Sequence, residues 1–174
     1  MENEASFLNT EGSDVFPVIT LYQPWATWIM REWKTIETRT HDRFACLKNR
    51  TVLIHAGQTT DGSDLTTKNK YLTKEQIMFN PDEVVNGVIL GSARVYNVRW
   101  LWPTDSKYAL IDCEHTKRFG LELDHIKKFD SPIPVKGEMG IWYYDLTNRM
   151  KIKKPSAAGV FKKDAHQTSL WNTH

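Results

Sequence analysis

The chain has 174 residues, of which 40% are apolar and 25% charged, with a net charge of +2; this fits one folded domain and is too short for two to be comfortable. These values exclude a disordered chain, and no run approaches the roughly 20 consecutive apolar residues of a membrane helix. Cys46 and Cys113 lie far apart and in no C-x-x-C pair, so neither a metal framework nor a disulfide scaffold is expected.

The opening "MENEASFLNTEGSD" is acidic where a signal peptide would be basic and then apolar, so a soluble protein, cytoplasmic or otherwise intracellular, is the expectation. The charge is unevenly spread. Residues 1–16 carry four acids and no base, residues 149–174 six Lys/Arg against one Asp, and residues 17–148 are left at +1. The chain therefore divides into an acidic tail at 1–15, a domain at 16–148 and a basic tail at 149–174. That last segment suits contact with phosphates, although a charge run is more often a solvated stretch.

In chain order, "FPVITL" reads as a strand broken by Gln23 and Pro24. Pro24 suits a first helical turn, and Trp25, Trp28, Ile29 and then Glu32 or Trp33 fall at helical spacing, which predicts an amphipathic helix over "PWATWIMREW". "TIETR" and "RTVLIHAG" read as strands joined by a polar loop. Residues 58–86 are polar, with a helix expected near Thr73 to Phe79, where Thr73 caps and Gln76 reciprocates. "NGVILGSARVYNVRWLW" resumes as a long strand in which Gly87 and Gly91 permit a bend or bulge. "PTDSKYALIDCEH" fits neither helix nor loop decisively. "FGLELDHIKKF" alternates, with Phe119, Leu121, Leu123 and His125 on one face and Glu122 and Asp124 on the other. "SPIPVKGEMG" turns the chain, and "GIWYYDL" is the expected last strand. About six mostly antiparallel strands with two to three short helices make an α+β, mainly β fold, a small curved sheet or barrel.

The residues with chemical potential cluster after the first helix. If "TIETR" is extended, Glu37 and Arg39 share a face and Lys34 sits at the junction. The three offer an acceptor for a base edge and two cations for phosphate or a polarised carbonyl. Spacing alone favours the plainer arrangement, a surface ion pair of Glu37 with Arg39 and a solvated Lys34. Trp25 suits stacking on a base, though packing is the commoner fate of such a residue, and Trp28 reads as core. His55, in an apolar strand, suits proton exchange near neutral pH but is more often a satisfied interior residue. No G-x-S-x-G elbow, Walker loop or H-E-x-x-H helix is present.

"ITLYQPWATWIMREWKTIETRT", "TVLIHAG", "GVILGSARV" and "FGLELDHIKKFDSPIPVKGEMGIWYYDL" follow one another over roughly residues 17–146. In that order they resemble the ASCH domain family of PUA-like barrels, the K-T-x-E-x-R run with "PIPVKG" and G-x-W being the most specific part. The resemblance implies a pseudo-barrel whose polar cleft binds RNA or nucleotides. The matching positions are Lys34, Glu37 and Arg39, with Gln23 and Trp25 from the preceding turn and His55 close by.

One branch of the family resembles amidohydrolases that deacetylate N4-acetylcytidine, using a lysine, a threonine three positions later and a distant glutamate. Here the lysine matches Lys34 but the threonine position holds Glu37, which can act as a general base on water and not as a hydroxyl nucleophile. The distant glutamate has no assigned position: of its candidates, Glu114 lies in the segment that fits neither helix nor loop, and Glu122 faces away from the apolar side of its strand. Another member resembles a metal-dependent ribonuclease, for which the sequence offers no carboxylate cluster. The expectation is therefore an RNA- or nucleotide-binding domain without cofactor or metal. The alternatives are an amidohydrolase relying on Lys34 and Glu37, or a ribonuclease; protein partners are left open.

Overall fold

A computed structural model describes residues 14–60, 70–77 and 84–154. The acidic residues 1–13 and the later part of the basic tail, 155–174, lie outside the described residues. Among the described residues seven strands form one sheet: β1 (Val15–Gln23), β2 (Ile36–Arg39), β3 (Arg50–Thr60), β4 (Val88–Trp100), β5 (Phe119–Pro134), β6 (Ile141–Asp145) and β7 (Met150–Ile152), in the order β2-β5-β4-β3-β1-β6-β7. The central pair β1–β3 is parallel and the other pairs are antiparallel. The described residues also include the short helices α1 (Trp25–Met30), α2 (Lys74–Ile77) and α3 (Ser106–Ala109), with 3₁₀ turns at Asp42–Leu47 and Pro103–Asp105. No helix among the described residues is long and apolar enough to cross a membrane.

β1 is buried on both faces of the sheet, which is why "FPVITL" is apolar at successive positions instead of alternating. Phe16 and Val18 join Leu53, Ile89, Trp142 and Tyr144 on one face. Ile19 and Leu21 join Ala26, Ile29 and Met30 of α1 and Ile54, Val95 and Leu121 on the other. Trp28 turns away from that core and packs with Leu72 and Leu110.

The first helix is shorter than its spacing predicts. It ends at Met30, and Glu32 takes a left-handed φ of 57°. The N–H groups of Trp33 and Lys34 then both donate to the Trp28 carbonyl, at 2.9 and 3.2 Å, satisfying an end that would otherwise be orphaned. The chain thereby reverses and Lys34 points inward.

The expected capping box at Thr73 is formed: Gln76 N donates to Thr73 Oγ1 and Thr73 N to Gln76 Oε1 at 2.9 Å. The helix is described as far as Ile77, and the rest of the expected span, with residues 78–83, lies outside the described residues.

Three expectations along the later strands need correction. β5 does not stop at Phe129 but runs through "DSPIP" to Pro134, opposite Val88 and Ile89. "GIWYYDL" is not the last strand either, because Met150–Ile152, taken from the segment read as a basic tail, pairs with β6 as β7. The alternation assigned to β5 also fails: Glu122 is buried, and His125 is exposed at a φ of 44°. β5 meets β4 with three register shifts, so two-residue alternation is interrupted along its length.

Candidate functional site

A cleft of about 750 Å³ opens between β2, the ends of β1 and β3, and the 136–140 segment. Lys34, at 1% exposure, is buried at its β2 wall and not solvated as spacing suggested. Its Nζ donates to the carbonyls of Ile36 (2.7 Å) and Ala109 (2.6 Å), and stands 5.1 Å from the centre of the Trp25 ring. Burial pushes its ammonium below the ordinary lysine value, with Glu37 acting in the opposite direction.

Glu37, at 7% exposure, stands between the two cations: Oε2 lies 3.7 Å from Lys34 Nζ and Oε1 3.4 Å from Arg39 Nη2. Both separations exceed the roughly 2.7–2.9 Å of a charge-assisted hydrogen bond. The carboxylate is thus neutralised by its neighbours while its lone pairs remain able to accept from a ligand.

Arg39 lies with its guanidinium 4.6 Å from the Phe44 ring centre, and its Nη2 reaches Thr20 O at 3.5 Å. Its buried Nε has no hydrogen-bond partner among the described residues. Trp25 is half-buried, edge-on to Trp28 at 5.1 Å, and lines the cleft.

His55 lines the cleft from β3, where the β3–β4 register shifts at Ile54/His55. Its ring is buried, edge-on to Trp142, with Nε2 2.9 Å from Val135 O and Nδ1 without a partner among the described residues. A carbonyl can only accept, so the bond assigns the proton to Nε2. Gly137 lies against this ring: a Cβ there would stand 2.4 Å from His55 Cε1. Burial holds the imidazole below its ordinary value, a Val135 hydrogen bond works the other way and Lys151 adds to the depression.

Gln23 is not brought to the cleft. It is fully buried, its Nε2 donating to Val85 O at 2.9 Å and its Oε1 accepting from Thr27 N at 3.1 Å, so it ties the start of α1 to the chain before β4. Residues that sequence reasoning missed include Thr20, Asp112, Arg118, Lys136 and Glu138. Lys136 and Glu138 sit in "PVKGEMG", which reads as a turn and, through "PIPVKG", as part of the family resemblance, but not as a source of site residues. Asp112 and Arg118 flank a segment without a periodic pattern.

The two candidates for a distant glutamate separate clearly. Glu122 is held by Arg99 (2.6 Å) and Asn97 (2.8 Å), away from the cleft. Glu114 is exposed and gathers with His115 and cleft-lining Asp112, their ligating atoms within 4.8 Å of one another. A carboxylate cluster that the sequence did not suggest therefore exists, with His115 Nδ1 and Asp112 Oδ2 already hydrogen-bonded at 3.1 Å.

No family model matches this chain, and no curated protein matches it. Among solved structures the chain is similar to ASCH from Zymomonas mobilis, at 17% identity and a TM-score of 0.45, over 68% of this chain and 72% of that one. It is also similar to a tyrosine-to-phenylalanine variant of that organism's protein (15%, TM-score 0.43, 68% and 74%) and to a serine-to-alanine variant (16%, 0.43, 68% and 73%).

Proposed function

We propose that this chain is an ASCH-type domain that takes an unpaired or modified base, in a nucleotide or in RNA, into the cleft beside β2. The observation that carries the reading is Glu37, a nearly buried carboxylate at the wall of a nucleotide-sized cleft, flanked by two cations that leave its lone pairs underused. An amino or imino N–H of a base edge is the natural donor to it, with Trp25 as apolar contact. Arg39 and Arg118 suit phosphate or carbonyl oxygen, whereas Lys34, committed to two carbonyls, is a fixed neighbour of Glu37 at 3.7 Å. The ordered motif run from "QPWA" to "PIPVKG" supports the same reading, in which β2 closes toward β1 at the Arg39–Thr20 contact to complete a pseudo-barrel.

Calorimetric titration with nucleoside monophosphates and N4-acetylcytidine tests it. Glu37→Gln is expected to weaken binding about tenfold or more, since a hydrogen bond to a charged group contributes about 1.5–3 kcal/mol. Equal affinity in the variant rejects Glu37 as the reader.

A second reading is favoured by the burial of Lys34 and its nearness to Glu37. In it Glu37 takes a proton from water, the hydroxide adds to the acyl carbon of an N-acylated nucleoside, and Glu37 returns the proton to the leaving nitrogen as the C–N bond breaks to give carboxylate and amine. Glu37→Gln then abolishes acetate release from N4-acetylcytidine while leaving binding intact. No acetate from the native protein counts against this second reading.

A further inference from the structure

Resting on the base-binding reading, we infer that the cleft continues into an aromatic platform, Trp100 on Phe119, that stacks the nucleotide adjoining the one held in the cleft. In consequence the ligand is an unpaired strand and not a lone nucleoside.

The platform follows from strand register. Glu37 pairs with Leu121, and Leu121 with Val98. Two residues along, Arg39 pairs with Phe119 and Phe119 with Trp100. Side chains in opposed positions share a face, and so do residues two apart on one strand. The row Arg39–Phe119–Trp100 therefore lies on the face that carries Glu37, roughly 7 Å further along the strands.

Burial changes sharply between the two rows. Leu121 is fully buried, whereas Trp100 is 51% exposed with its ring stacked on Phe119, centroids 4.0 Å apart and planes at 30°. Trp102 follows at 65% exposure. Large aromatic rings left in water beside a cleft, instead of in the adjoining core, carry a solvation cost that a stacked base removes.

Charge around the platform selects the occupant. Arg39 lies in the same row and Arg118 directly precedes Phe119; both line the cleft. Aromatic rings next to a guanidinium group that itself lines the cleft, Arg39 beside its cross-strand partner Phe119, suit successive bases and their phosphates. An apolar peptide would leave the arginines unmatched.

The probes are the four nucleoside monophosphates and a fluorescein-labelled mixed-sequence pentanucleotide RNA. The native protein is expected to bind the pentanucleotide more tightly than any monophosphate. Trp100→Ala should weaken pentanucleotide binding roughly five- to a hundredfold while leaving monophosphate affinity unchanged, which also shows the variant to be folded. Trp100→Phe should restore most of the loss. Monophosphate binding with no tighter binding of the pentanucleotide, or an affinity gap untouched by Trp100→Ala, overturns the platform alone. Native protein that binds neither probe overturns the base-binding reading and the platform with it. A native dimer that Trp100→Ala converts to monomer assigns the patch to a second copy and likewise overturns it.

Discussion

His55 shows how a single buried titratable group couples the cleft to pH. Its imidazole is enclosed, donates from Nε2 to Val135 O, and leaves Nδ1 facing no acceptor among the described residues. Protonation would place a second N–H there and add a charge in a buried site near Lys151. The folded-state value lies below the ordinary 6.5, so on acidification the unfolded chain takes up the proton first. Stability contributed by neutral His55 is thus present above that ordinary value and declines as pH falls below it. Urea midpoints measured from about pH 7.5 down to pH 5 should fall more steeply in the native protein than in His55→Gln, which keeps a donor for Val135 O; equal slopes would remove His55 as the cause. Lys34 illustrates the limit of sequence reasoning at this scale. Its neighbours in the chain predict a solvated junction residue, and only the reversal after Met30 and the distant carbonyl of Ala109 bury it. Gln23 failed for the converse reason: its position in the motif is legible, but its partner Val85 is 62 residues away.

Among elements, β4 and β5 determine where the cleft and its aromatic rim stand, because among the described strands β2 pairs with β5 alone. Their pairing carries three register shifts, one of them between Ile89 and Gly91. Gly91 is legible in the sequence as a permissive position, yet its actual constraint is contact. A Cβ there would lie 2.2 Å from Lys127 O and 2.6 Å from Met30 Sδ, joining β4, β5 and α1 at one point. The Met30 side chain can adjust, but the Lys127 carbonyl belongs to a strand and cannot move alone. Gly91→Ala is therefore expected to destabilise the fold by about 1–3 kcal/mol, seen as a lower denaturant midpoint. An unchanged midpoint would mean that β5 yields freely here. Most strands are legible because their β-branched and apolar runs are bounded by turn residues. The excess length of β5 is not, since its prolines read as a stop. Pro132 and Pro134 instead occupy the far end of the β4–β5 ladder, where a missing N–H is tolerated.

At the scale of the whole molecule the charge distribution changes meaning once β7 is seen. Of the six cations in residues 149–174, Arg149, Lys151, Lys153 and Lys154 fall within the described residues at or beside β7. Lys151 pairs with Glu138 at 3.0 Å and stands 5.1 Å from the Trp142 ring centre, so it helps fasten the 136–140 segment that walls the cleft. Only Lys162 and Lys163, offset by Asp164, remain beyond residue 154. A deletion from residue 149 would remove a strand together with the charge and confound the two effects. Removing residues 155–174 is the informative change: two cations release at most about two counterions, so the slope of log affinity against log salt should flatten by no more than about 1.4 on single-stranded RNA. A larger change would mean that the segment contributes through contacts other than its charge. No change at all would place salt-dependent binding in the folded part, with Arg39, Arg118 and Lys136 around the cleft as its source.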